Sequence, residues 1–301
     1  MFSRILVPLD GSKLAEAVMP LACSMASQLQ ATLVLFHVVE KKAPQQIHGE
    51  SHLQSAEQAY TYLQSMVEGL SCKGTHAVID VHEVQESGVA QTIRDHAEEL
   101  NTDMIIMCTH GSGGLRDIFL GSIAQQVVRQ GETPLLFINP ERIRQPEQDI
   151  IKRILLPLDG SPAHETAIPS ATYLADKLKA EVHLLSVIPT SDSVPVKEAL
   201  SRRVSPRAAN FTLESSVKNA ENYLQKIGET IADRDGQVFG AVMRGDAPDK
   251  LLDYIEEEEI DLVILATHGH NAIDARWEGS LTPRYLPRST VPVLLVQGEE
   301  E

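Results

Sequence analysis

The sequence predicts an α/β chain of two tandem domains, each a five-stranded parallel sheet covered by helices on both faces. Two observations carry this. First, most of the chain is written twice. Arg4-Ile-Leu-Val-Pro-Leu-Asp-Gly-Ser12 returns as Arg153-Ile-Leu-Leu-Pro-Leu-Asp-Gly-Ser161, a shift of 149 residues. Cys108-Thr-His-Gly111, nine residues and Gly121-Ser122 return as Ala266-Thr-His-Gly269, nine residues and Gly279-Ser280, a shift of 158. Long blocks repeated in the same order mean duplication of a whole domain, with about nine residues added to one copy. Second, each half alternates short apolar runs with stretches of helical hydrophobic spacing, the pattern of a parallel sheet. The 301 residues suit two domains, expected at 1–145 and 146–301.

Taken in order, Ile5 to Leu9 reads as a buried strand, after which Leu14, Val18, Leu21, Met25 and Leu29 line a helix. Thr32 to Val39, rich in β-branched and aromatic residues, is the second strand. Leu53, Ala56, Tyr60, Leu63 and Val67 are expected to form the apolar line of the next helix. Val78 to Val84 is the third strand, and Val89, Ile93, Ala97 and Leu100 line the helix after it. Met104 to Met107 is the fourth strand, ending at the Thr-His-Gly loop; Ile123, Val127 and Val128 mark a helix and Leu135 to Ile138 the fifth strand. The second half repeats this with strands at Ile154 to Leu158, Glu181 to Ile188, Val238 to Met243, Leu262 to Leu265 and Val293 to Val296. Asn139 to Asp149, polar and carrying Pro140 and Pro146, reads as the linker. The added residues fall between Thr190 and Asn219, where Pro195 and Pro206 suggest a longer loop. Glu256 to Glu259 reads as the exposed end of a helix.

Composition excludes several classes. The net charge of −16, with no basic stripe, argues against nucleic acid as the main partner. No apolar run reaches the roughly 18 residues a membrane helix needs, and the start enters a strand without a signal-peptide layout. Cys23, Cys72 and Cys108 make no paired framework and have no counterparts in the second half, so a cytoplasmic location is expected.

The Pro-Leu-Asp-Gly-Ser loop after strand one and the Thr-His-Gly loop after strand four, each present twice, resemble the universal stress protein family in its tandem two-domain form over essentially the whole chain. That family's nucleotide-binding members carry Gly, two residues, Gly, nine residues, then Gly-Ser or Gly-Thr. Both halves keep the spacing, with Cys108 and Ala266 in place of the first Gly. The resemblance implies a Rossmann-like fold of the adenine nucleotide alpha hydrolase type with strand order 3-2-1-4-5. It also implies ATP bound where that order reverses, beyond the carboxyl ends of the strands. By this resemblance Asp10 and the backbone of Val38 hold adenine, Met107, Cys108 and Gly111 line the ribose and phosphates, and Gly121, Ser122 and Ile123 cradle the phosphate tail. The matching set is Asp159, Val187, Leu265, Ala266, Gly269, Gly279, Ser280 and Leu281. His110 and His268, in the signature loops, either touch phosphate or only bond the turn. The fifth strands are expected to pair edge to edge within the chain, and the family also admits a homodimer.

Plainer readings stand beside these. Asp-Gly-Ser after a strand is also a turn and helix cap, and Gly121-Ser122 could be only a tight helix entry. His48 and His52 have the spacing of a metal pair on a helix, but Gly49 between them favours a solvated loop. Cys108 reads as a small apolar filler more than a redox thiol, and Ser112-Gly-Gly114 follows the wrong strand for a pyrophosphate loop. In the second half Asp274 and Glu278 enter the phosphate segment and Pro283 and Pro287 interrupt the following helix, whereas the first half has Arg116 and Ile118 to Leu120. A carboxylate beside a triphosphate is unfavourable unless Mg²⁺ or Mn²⁺ accompanies the nucleotide and makes Glu278 a ligand. The expected function is an ATP-binding stress-response protein using nucleotide as a ligand or switch. The alternatives are a nucleotide-free interaction module and a slow ATPase; no P-loop lysine, base or paired-carboxylate metal site supports fast turnover.

Overall fold

The computed structural model describes residues 1–41, 46–47, 50–69, 75–84, 88–109, 121–130, 132–143, 151–190, 206–232, 237–267 and 281–297. The first half runs β1 (Arg4–Pro8), α1 (Lys13–Glu16), α2 (Met19–Leu29), β2 (Thr32–Glu40), a small hairpin of β3 (Gln46–Ile47) and β4 (Glu50–Ser51), α3 (Ala56–Gly69), β5 (Ala77–Val84), α4 (Val89–Glu99), β6 (Met104–Cys108), α5 (Ser122–Gln130) and β7 (Leu135–Ile138). The second runs β8 (Arg153–Pro157), α6 (Pro162–Glu165), α7 (Ile168–Leu178), β9 (Glu181–Ile188), α8 (Pro206–Ile231), β10 (Val238–Arg244), α9 (Ala247–Glu257), β11 (Leu262–Thr267), α10 (Leu281–Tyr285) and β12 (Val293–Gln297). Among the described residues no helix is long and apolar enough to cross a membrane.

Ten strands make one sheet, in the order β10-β9-β8-β11-β12-β7-β6-β1-β2-β5. Counting its five main strands from the start of each half, the order is 3-2-1-4-5 in both. In this sheet all pairs within a half are parallel, and the one antiparallel junction joins β7 to β12; the separate β3–β4 hairpin is antiparallel. Its central pair is Leu136 with Leu294, residues 158 apart, so the junction is centred on two equivalent positions. A two-fold rotation there exchanges the halves. Asn139 Nδ2 donates to the Pro287 carbonyl at 3.2 Å and Gln297 Nε2 to the Val128 carbonyl at 3.4 Å, so an amide side chain at the carboxyl end of each fifth strand reaches into the other half.

Alternation along the strands divides the core between two faces. Ile5, Val7, Leu33 and Leu35 face one layer; Leu6, Val34, Phe36 and Val38 face the other. Leu136 and Leu294 share the first cluster and Phe137, Val293 and Leu295 the second, so each core runs unbroken across the junction.

Several expectations are corrected. The first helix of each half is broken: α1 ends at Glu16 and α2 begins at Met19, α6 at Glu165 and α7 at Ile168. Pro20 and Pro169 in the first turns of α2 and α7 explain the break, since proline lacks the N–H for the preceding turn and clashes with its carbonyl. Tyr60 is exposed, and Ala59 and Leu63 supply the buried face of α3, which starts at Ala56, beyond Leu53. The stretch after Thr190 is not a loop throughout, because Pro206 opens the 26-residue α8. His52 is buried, so it does not lie in a solvated loop; His48 is outside the described residues. Cys108 is a free cysteine, and Cys72 lies outside the described residues.

Candidate functional site

At the carboxyl ends of β1, β2 and β6 the first half forms a half-open cavity of about 400 Å³. Asp10, Val38, Met107, Cys108, Gly121, Ser122 and Ile123 all line it. His110 and Gly111 lie outside the described residues, as do Arg116 and Ile118 to Leu120. The location follows from topology. The sheet order reverses between β1 and β6, so the connections leaving them diverge and open a crevice.

The Asp10 loop is tightly specified. Gly11 takes φ +89°, a left-handed conformation that glycine adopts without cost. Ser12 is buried and caps α1, accepting from the Ala15 N–H at 3.1 Å. Its own N–H and Oγ–H donate to Asp10 Oδ1 at 2.9 and 2.6 Å, which orients that carboxylate at the cavity wall. Ser12→Ala removes both the cap and this orienting bond. It is expected to cost about 1–2 kcal/mol in denaturant unfolding, and a change under about 0.3 kcal/mol would deny the cap its role.

Across the crevice, Cys108 Sγ–H donates to the Leu14 carbonyl at 2.9 Å. Burial, then the Asp10 carboxylate, pushes the thiol up to about 12, so it stays protonated and acts as a small filler rather than a reactive thiolate. Beyond β6 the chain re-enters at Gly121, whose N–H donates to the Thr109 carbonyl at 2.6 Å and whose carbonyl accepts from Gln125 N–H at 2.8 Å. Gly121 thus precedes the first turn of α5, where the amides of Ser122, Ile123 and Ala124 have no preceding turn to bond. The helix dipole adds partial positive charge there. Phe36, Val38, Ile93 and Met107 give the cavity an apolar flank, which with few convergent polar groups is the make-up of a small-molecule site. His37 and His52 also line it; sequence reasoning missed His37 and considered His52 only as half of a metal pair with His48. The signal for His37 was a titratable residue inside a strand next to Val38.

A second cleft, of about 420 Å³, lies at the opposite ends of the strands beside Phe2, Asp103 and Pro134 and contains none of the predicted residues.

The second half differs. His268, Gly269, Gly279, Ser280, Asp274 and Glu278 lie outside the described residues. Val187, Leu265 and Leu281 belong to one core layer and Ala266 to the other. Asp159 Oδ1 accepts from the Ser161 N–H at 2.9 Å, and His164 Nδ1 stands 2.7 Å from the same oxygen. The His164 bond is the main reason the Asp159 carboxyl sits well below the usual range. Ala15 occupies the place of His164 in the first half. The two aspartates, equivalent in sequence, therefore have unlike partners: a buried serine hydroxyl and a half-exposed imidazole.

A sequence model of the universal stress protein family matches residues 1–139 and 151–297. The chain is 25% identical over 302 residues to a universal stress protein of Mycolicibacterium smegmatis, covering 97% of this chain and 96% of the relative. It is 22% identical over 316 residues to one from Synechocystis, covering 97% and 98%. A crystal structure of a universal stress protein from Archaeoglobus fulgidus covers 99% of both chains with a TM-score of 0.66 at 16% identity, a likeness of fold.

Proposed function

The chain belongs to the universal stress protein family, and we propose that its first half binds ATP as a ligand, so that occupancy changes the protein's interactions. The observation that carries this reading is convergence. Seven residues singled out from two distant loops and the end of a strand line one cavity. An oriented carboxylate, an apolar flank and a helix N-terminus suit an amine-bearing base, a flat ring system and a phosphate tail respectively.

The test has two arms. Mass spectrometry of the denatured protein identifies any nucleotide that co-purifies, and calorimetry of the emptied chain counts sites. We expect one strong ATP event per chain, because Asp159 is already held by His164 and the second phosphate segment carries Glu278. Asp10→Ala should lower affinity for ATP several-fold more than for GTP, since the carboxylate acts on the base. Two equal events would remove the asymmetry between halves. No binding by any nucleotide would favour an interaction module, and steady phosphate release would favour an ATPase.

A further inference from the structure

Beneath the Asp10 loop lies a pair of buried histidines. His37, on β2, is 2% exposed, and its Nδ1 stands 2.6 Å from the Leu9 carbonyl, a contact that requires the proton on Nδ1. The other ring nitrogen, Nε2, is then an acceptor, buried and with no hydrogen-bond partner among the described residues. The buried ring of His52 stands 6.1 Å away, centroid to centroid, with its Nδ1 2.8 Å from the Leu53 carbonyl. Leu53 packs over Gly11, so closely that a Cβ there would meet its Cγ at 3.2 Å. His37 and His52 thus hold the loop that carries Asp10 from below.

Among the described residues, the titratable groups acting on His37 are His52, from the connection before α3, and Asp10, from the loop after β1. Glu40 on the same strand and the Cys108 thiol on β6 line the same cavity. Burial is the largest influence and pushes His37 down; the Leu9 carbonyl and Asp10 oppose it, and His52 adds to it. A proton arriving at Nε2 would be a buried donor with no acceptor, next to a second histidine. Relief would draw water from the cavity that the ring lines, or Asp10 away from Ser12. Either movement spoils the loop as a seat for a base.

We propose that His37 is a positioning residue whose neutral imidazole keeps the Asp10 loop competent, so that nucleotide binding in the first half weakens on acidification. This rests on the nucleotide reading above. The sign follows from the lowered value. Burial keeps the ring of the free chain neutral to below the ordinary histidine value of 6.5, and its support for binding is lost as pH falls through that lowered value. A bound base buries the ring further, so binding below the lowered value displaces a proton, and affinity there should fall by up to about tenfold per pH unit.

The experiment is calorimetric titration of ATP into the full chain at about pH 7.5 and about pH 5.5, for wild type, His37→Asn and His37→Ser. Asn keeps an N–H for the Leu9 carbonyl but has no proton to gain. Ser is the residue that the second half carries at the equivalent buried position, Ser186, so the fold tolerates it. ATP's own phosphate titration is common to all three proteins and cancels in the comparison. Each protein is compared with its own affinity at the higher pH, and we expect wild type to lose several-fold more than either variant as pH falls. Parallel losses in all three proteins would overturn the proposal while leaving the nucleotide site intact. Absence of ATP binding by wild type at the higher pH would overturn the nucleotide reading and this inference with it.

Discussion

Gly121→Val is expected to yield a folded protein with ATP affinity at least about tenfold weaker, a loss of roughly 1.4 kcal/mol or more. The reason is approach, not a lost donor. The Gly121 N–H is already committed to the Thr109 carbonyl, so it is not the group that would hold phosphate. The groups placed to do so are the amides of Ser122, Ile123 and Ala124 in the first turn of α5, on the cavity wall. A branched side chain at 121 would occupy space in front of them. The fold should survive because Gly121 is only half-buried and sits at a helix entry, where β-branched residues cost about 1 kcal/mol against a good cap. Gly121→Ala, with one carbon in place of three, should fall between the two. Calorimetry reads the affinity and far-UV circular dichroism the fold. A folded Gly121→Val chain that bound ATP as tightly as wild type would show that phosphate does not sit against α5.

The parts of this architecture legible in the sequence were those governed by local period and by repetition. Strand alternation along β1, β2 and β6 follows directly from their apolar runs, and the duplicated loops point to the end of the sheet where the crevice lies. Duplication even preserves strained details: Gln30 and Lys179, 149 apart, both end their helices at positive φ, 54° and 55°, with no glycine to signal it. What stayed hidden was decided by tertiary contact. Tyr60 has helical spacing with its neighbours, yet α3 turns Ala59 and Leu63 inward. His52 follows a polar stretch that reads as solvent-exposed, and only its packing under the Asp10 loop buries it against His37. The partner of each Asp-Gly-Ser carboxylate depends on residue 15 or 164, three positions past the repeated block and unlike in the two halves. The register of the junction was likewise unreadable. Four apolar residues in a row identify a buried strand but not which residue faces which.

That junction carries the other large effect. Leu136 and Leu294 face each other at its centre, both fully buried in the core layer that spans the two halves. Truncating either to Ala removes three buried carbons and leaves a cavity the two packed halves cannot easily close. Each single change should cost about 2–5 kcal/mol. Because the two side chains share one site, the double mutant should cost less than the sum, by about 0.5–3 kcal/mol. Chemical unfolding followed separately by far-UV circular dichroism and tyrosine fluorescence is the measurement, and wild type should show one coincident transition because both core layers run across the junction. The edge argument points the same way: parted, β7 and β12 would each present a row of unpaired backbone groups on an apolar strand, an arrangement folded proteins avoid by covering it. Losses under about 1 kcal/mol for both single variants, or strict additivity in the double, would mean that the halves are stable units that merely touch. Non-additive losses of the expected size would mean that the duplicated chain folds as one body, with its two loop sets held in fixed relation across the Leu136–Leu294 axis.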